Sequence, residues 1–170
     1  MRLLTILCLV LLSSCSQEPE VVTGPEVVQE PEVITGPFLV RDGITYDQNT
    51  NEPITGIVEE FFDDGDDGQI QTRGNYIDGK RNGFIEIFYD NGQLLLRGNH
   101  VDGKPDGISE MFHDNGQLRT RGNYKDGEFN GLVERFHDNG KPRKRENYID
   151  GELVGTPEEF DEFGGTLIPD

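Results

Sequence analysis

Residues 83–107 read GFIEIFYDNGQLLLRGNHVDGKPDG, and residues 107–131 restate them as GISEMFHDNGQLRTRGNYKDGEFNG. In each line a run of β-formers reaches Asp-Asn-Gly, continues as a second run, and closes on Asp-Gly. Asn-Gly and Asp-Gly between short apolar runs are strong hairpin signals, because two-residue hairpin turns need left-handed backbone that Asn, Asp and Gly tolerate. Each unit therefore predicts strand, tight turn, strand, turn. Units of 24 residues begin at Gly83, Gly107 and Gly131. A longer unit begins at Gly56, where Asp63-Asp64-Gly65-Asp66-Asp67-Gly68 replaces Asp-Asn-Gly, and a partial one begins at Gly155. The predicted class is all-β, an antiparallel meander of repeated hairpins over residues 38–170. One hairpin is marginal in water, so each unit must lean on its neighbours.

The aligned columns say what the units share. Phe61, Phe88, Phe112, Phe136 and Phe160 form one column, with Glu59, Glu86, Glu110, Glu134 and Glu158 two residues earlier. Arg97, Arg121 and Arg145 follow the turn glycines Gly92, Gly116 and Gly140, Arg73 shares their column, and Asn-Tyr or Asn-His comes next. Two registers are open. A two-residue Asn91-Gly92 loop places Glu86 opposite Arg97 but Phe88 and Leu94 on opposite faces. A three-residue loop with Gly92 left-handed beside a bulge places Phe88 opposite Leu94 and is preferred. It would gather Phe84, Phe88, Leu94, Leu96 and His100 on one face. That face is the expected core, with each Phe packed on the Phe of the next unit. Ile44-Thr45-Tyr46 is expected to start the sheet, and Pro157 and Pro169 to guard its last edge.

The N-terminus is of another kind. Arg2 precedes an apolar stretch from Leu3 to Leu12, too short to span a bilayer permanently, and residues 1–14 read as a cleaved signal peptide. Leu12-Ser13-Ser14-Cys15 resembles a bacterial lipobox, which implies lipid on the Cys15 thiol and attachment to a membrane without spanning it. Ser16 after the cysteine resembles the outer-membrane sorting choice of enteric bacteria, so the expected location is the cell envelope. From Pro19, PEVVTG, PEVVQE and PEVITG repeat one six-residue unit as far as Gly36. Proline in every unit keeps the chain extended, and residues 15–37 read as a tether reaching roughly 70 Å. The alternative is a short edge strand made by its Val-Val or Val-Ile pairs.

Hydrophobic residues make up only 33% of the chain against 22 glycines, which predicts many turns and a thin core. The formal charge of −18 argues against nucleic acid as a partner, since phosphate binding needs clustered cations.

With period 24, the columns Gly, Glu, Phe, Asn-Gly, Leu, Gly-Asn-Tyr and Asp-Gly resemble the variant MORN (membrane occupation and recognition nexus) repeats of bacteria. The resemblance extends over about residues 38–168. Arg41-Asp42-Gly43-Ile44-Thr45-Tyr46 and Glu52-Pro53-Ile54-Thr55-Gly56 look like the opening of a bacterial family often labelled a toxin–antitoxin antitoxin component. The repeats imply a binding array, and the label implies a toxin as partner.

A search for reaction chemistry yields little. His113 and His137 share a column with Tyr89, and two ligands make a poor metal site. The acids of residues 63–67 lack the alternate spacing of a calcium loop. Repeated glutamates suggest structure, because a catalytic pair needs two unlike environments. No cysteine nucleophile remains once Cys8 is cleaved away and Cys15 is acylated, and Gly-x-Ser-x-Gly, P-loop and His-Glu-x-x-His motifs are absent. The expectation is a non-enzyme without metal or cofactor: a lipid-anchored array that binds an envelope protein or glycan. The alternative is an antitoxin or immunity protein that neutralises a toxin by binding it.

Overall fold

The computed structural model describes residues 32–62 and 68–167. Cys15, the signal segment 1–14, the tether up to Pro31, the acids of residues 63–67 and Pro169 lie outside the described residues. Among the described residues thirteen strands run in chain order: β1 Val33–Thr35, β2 Phe38–Arg41, β3 Ile44–Asp47, β4 Gly56–Phe61, β5 Ile70–Ile77, β6 Lys80–Phe88, β7 Leu94–Val101, β8 Lys104–Phe112, β9 Leu118–Lys125, β10 Glu128–Phe136, β11 Pro142–Ile149, β12 Glu152–Phe160 and β13 Thr166–Leu167. Eleven of them form one sheet in the order β1-β4-β5-β6-β7-β8-β9-β10-β11-β12-β13. From β4 onward every pairing is antiparallel between chain neighbours, as a meander of hairpins demands.

The two ends of each unit use different turns. At the Asp-Gly end both residues are left-handed, with φ 49° at Asp78 and 75° at Gly79, and the pattern recurs at 102–103, 126–127 and 150–151. This is the two-residue turn whose twist matches paired strands. Each such turn also bonds to the preceding unit: Gly103, Gly127 and Gly151 donate N–H to the carbonyls of Arg81, Pro105 and Phe129 at 2.8–2.9 Å. At the Asp-Asn-Gly end, Tyr89 N–H donates to Gln93 O (2.8 Å) and Gly92 N–H to Tyr89 O (3.0 Å), with Gly92 at φ 79°. The three-residue loop is therefore the one used, and Gly116 and Gly140 repeat it at φ 80° and 78°.

Phe88 lies opposite Leu94 as that loop requires, yet the core face differs from the expected one. A one-residue bulge beside this pair shifts the register, so Ile87 faces Leu96, Glu86 faces Arg97, Phe84 faces Asn99 and Gly83 faces His100. Paired residues share a face. Leu96 and His100 consequently lie on the inner face with Ile85 and Ile87, while Phe84, Phe88 and Leu94 lie on the outer face with Glu86 and Arg97. The core is Ile54, Val58, Tyr76 and Ile85, with Ile34, Phe38 and Ile87 packed against it, and Val133 is fully buried further along. The inner face is tight because glycines sit opposite fully buried side chains: Gly74 and Gly98 both face Ile85, and Gly122 faces Val133.

Two expectations for the N-terminal side also change. Ile44-Thr45-Tyr46 does not open the long sheet; it belongs to β3, paired with β2 in a separate hairpin, with an isolated bridge from Tyr46 to Pro53. That hairpin is joined to the first Asp-Gly turn by Thr45 N–H to Gly79 O (2.8 Å), and the same glycine donates to Ile54 O (2.7 Å). Val33-Ile34-Thr35 of the third six-residue unit take the edge-strand alternative: β1 runs parallel to β4, with Val33, Ile34 and Thr35 beside Ile57, Val58 and Glu59. Ile34 packs against the core, which holds β1 on the sheet.

Candidate functional interface

The outer face carries the sequence columns as rows crossing the strands. Successive units are two strands apart, about 9.5 Å. Glu86, Glu110 and Glu134 each lie in register between the arginines of both flanking strands. Glu110 is the most enclosed, 8% exposed, with Arg97 Nε at 2.6 Å and Arg121 Nε at 3.1 Å. Arg145 reaches Glu134 at 3.1 Å and Glu158 at 3.8 Å, and Arg73 reaches Glu59 at 2.7 Å. A carboxylate held between two guanidinium groups orders both, which suits a scaffold.

Phe88, Phe112 and Phe136 are half-buried beside this ladder, and Phe61 and Phe160 continue the row at its ends. The expected Phe-on-Phe packing is replaced by contacts with arginine: Arg97 lies over the Phe112 ring at 5.4 Å and Arg145 over Phe160 at 5.3 Å. Units two strands apart hold equivalent rings too far apart to touch. The ring pairs among the described residues lie on the inner face, where Phe129 sits between Tyr124 and Tyr148 with centroids at 4.5 and 5.2 Å.

Beyond the ion ladder runs a row that the sequence columns did not single out. Phe84, Ile108 and Leu132 occupy equivalent places opposite Asn99, Asn123 and Asn147, and are 46%, 57% and 46% exposed. Ile77, Val101 and Ile149 are exposed nearby. The signal was available: an apolar residue follows the first glycine of the units beginning at Gly56, Gly83, Gly107 and Gly131, but the preferred register assigned Phe84 to the core.

His113 and His137 do the work of Tyr89. The Tyr89 hydroxyl donates to Phe112 O (2.8 Å), and the Nε2 atoms of His113 and His137 lie 3.3 Å from the carbonyls of Phe136 and Phe160. In these three units the column holds a ring whose polar edge meets a carbonyl of the next unit, whereas the first unit has Phe62 there. Asn91, Asn115 and Asn139 form a second ladder that was not foreseen. Each Oδ1 accepts from the N–H two residues on, and each Nδ2 donates to Asp114, Asp138 or Glu162 O at 2.8–3.1 Å. Among the described residues no group of three or more His, Cys, Asp and Glu could hold a metal ion.

On the inner face the fourth unit departs from the others, with Glu146 in place of the glycine at 74, 98 and 122. Glu146 is buried and paired with Arg135 and with Lys144 Nζ (3.1 Å), which also reaches Glu159 at 3.3 Å. These hydrogen bonds to Glu146 and Glu159 raise the Lys144 pKa. His100 is 8% exposed, and its Nδ1 has no partner. Burial, then the nearby Arg81 charge, push its pKa down, so it sits neutral in the sheet.

These features define a class: a repeat-based interaction module in which a β-hairpin array displays repeated rows of side chains on a long sheet. Two stretches, residues 105–126 and 129–150, match the family described as MORN repeat variant, which covers the third and fourth strand pairs of the array. No curated protein matches the chain. Among solved structures, Staphylococcus aureus TarM, as a mutant in complex with fondaparinux, alpha-GlcNAc-glycerol and UDP, is 15% identical with TM-score 0.31 and covers 68% of this chain. A second TarM structure has the same identity and TM-score and covers 69%. The chain spans about one fifth of the length of TarM.

Proposed function

We propose that the protein is a lipid-anchored, non-catalytic binding protein of the bacterial envelope, which uses the outer face of its repeat sheet to contact another envelope protein or a glycan. The row of Phe84, Ile108 and Leu132 carries this reading: equivalent large apolar side chains left open in three successive units mark a contact surface rather than scattered exposure. The anchor rests on the sequence from Arg2 to Cys15. The repeated glutamates and arginines, cross-strand neighbours in successive units, favour a scaffold over a reaction centre. The net charge of −18 favours a second reading, an antitoxin or immunity role against a basic toxin.

Crosslinking pull-downs from envelope extracts test the surface. The unsubstituted chain should capture a partner that the double variant Ile108→Asp, Leu132→Asp does not, and equal capture by both refutes the outer face as the contact. Fractionation tests the anchor: Cys15→Ala should leave the membrane pellet, and its retention there would overturn the lipoprotein reading. A basic toxin among the captured proteins would select the second reading.

A further inference from the structure

Five Asn-Gly pairs occur in the chain, at 82–83, 91–92, 115–116, 130–131 and 139–140. Each carries a latent reaction. The glycine backbone nitrogen can attack the asparagine Cγ, which expels the side-chain nitrogen as ammonia and closes a succinimide ring. Water then opens the ring at either carbonyl, leaving aspartate or isoaspartate. Glycine favours the closure because no Cβ shields its nitrogen. The reaction needs a free side-chain amide and a backbone that can turn, and the five sites differ in how far the fold allows either.

At Asn91, Asn115 and Asn139 both reacting groups are held. Each Oδ1 accepts from the N–H two residues on, and each Nδ2 donates to a carbonyl of the next unit. The attacking nitrogens are engaged as well, since Gly92, Gly116 and Gly140 N–H donate to Tyr89, His113 and His137 O at 2.9–3.0 Å. Asn130 is tied by its side chain, whose Nδ2 donates to Asp150 Oδ1 (3.0 Å), and by its carbonyl, which accepts from Asn123 Nδ2 (2.7 Å). Asn82 occupies the same column two units earlier. The Asn130–Asp150 bond has no counterpart between Asn82 and Asp102, and among the described residues the Asn82 side chain has no hydrogen-bond partner. Asn82 lies in the bulge of β6, where Arg81 pairs with Tyr76 and Ile85 with Gly74, so residues 82–84 have no partner on β5. It lines an open cleft with Gly56, Ile57 and Asn75, through which water reaches it.

The product has a precedent in the next unit. That column reads Asn82, Asp106, Asn130, and Asp106 Oδ2 accepts from the Asp126 N–H at 3.3 Å. An aspartate at position 82 has the Asp102 N–H at the same offset along the chain. At Asn91, Asn115 and Asn139 the same conversion would set a carboxylate against a carbonyl of the next unit and break the ladder.

We propose that Asn82 is a self-modification site, which deamidates in the folded chain while the other four Asn-Gly pairs stay intact. Conversion adds a negative charge two residues before the exposed Phe84, at the margin of the open apolar row, and its timing is set by the chain rather than by an enzyme. The inference does not depend on which partner the outer face takes.

The test ages the folded full chain in heavy-oxygen water at mildly alkaline pH, which favours attack by the glycine nitrogen, and maps its peptides by mass spectrometry. Heavy oxygen enters only where a succinimide opened during ageing. The peptide carrying Asn82 should convert at least about tenfold faster than those carrying Asn91, Asn115, Asn130 or Asn139, whose ties must open first. In urea the five rates should converge. Asn82→Asp should leave the urea midpoint unchanged, as the example of Asp106 requires. Equal folded-state rates at Asn82 and Asn130, faster conversion at any of the loop asparagines, or the same ranking persisting in urea would overturn the proposal. So would a lowered midpoint for Asn82→Asp.

Discussion

Ile85 and Gly74 give the sharpest test of which face holds the fold together. Ile85 is fully buried, and a methyl group built on Gly74 would fall on its Cδ1, with the Phe84 carbonyl oxygen at 3.4 Å. Ile85→Ala leaves a void flanked by Gly74 and Gly98, which have no side chains to move into it. The cost should be about 3–4 kcal/mol, toward the upper part of the usual range. Gly74→Ala alone overpacks the same spot at about 1–3 kcal/mol. In the double variant the new methyl group occupies part of the void, so the combined loss should fall about 1–2 kcal/mol short of the sum. As an outer-face control, Phe84→Ala should cost about 1 kcal/mol or less, although it deletes a larger side chain. Urea unfolding followed by far-UV circular dichroism or tyrosine fluorescence supplies all four values; the chain has no tryptophan. Additivity within about 0.5 kcal/mol, or a Phe84→Ala loss as large as that of Ile85→Ala, would refute the inner-face core.

Glu110→Gln removes a charge enclosed by Arg97 and Arg121 and should cost about 1–2 kcal/mol in urea melts, against about 0.5 or less for the exposed Glu158→Gln. Asn115→Asp keeps the acceptor for Gln117 N–H but loses the donor to Asp138 O, so the melt should report about 0.5–1.5 kcal/mol, with Asp114→Asn as a neutral control. His100 has a folded pKa below its unfolded value of 6.5, so the unfolded chain takes up the proton first. Stability should hold above pH 7 and fall as the pH drops through about 6.5, by at most about 1.4 kcal/mol per pH unit. Subtracting the His100→Phe profile isolates this contribution from the carboxylates, and a flat difference between pH 5 and 8 would sink it.

The hairpin array was legible from the sequence because its determinants are local. Asp-Gly and Asp-Asn-Gly demand left-handed backbone wherever they occur, and the three-residue loop predicted from Gly92 is the one present, with Phe88 opposite Leu94. What failed was the next step from loop to face. A single extra residue at the bulge inverts every later pair, so Leu96 and His100 go to one side while Phe84 and Phe88 go to the other. Nothing in the pattern of apolar residues forbids either choice, since both faces of each unit carry them. The glycine column resolves the ambiguity only in three dimensions. Gly74 and Gly98 leave room over the sheet that Ile85 fills, and a Phe column two strands apart cannot pack on itself.

Similar logic separates the rest of the interface. The Glu and Arg columns could be read as partners from spacing alone, because cross-strand pairing is fixed once the units align. The roles of Asn91, Tyr89 and His113 depended on contacts between successive units, which a one-unit alignment does not contain. Repetition and turn chemistry in the sequence determined that the chain is a row of hairpins. Tertiary structure alone decided which face became core and which stayed open, because burial depends on how neighbouring units cover one another and not on any residue's own preference.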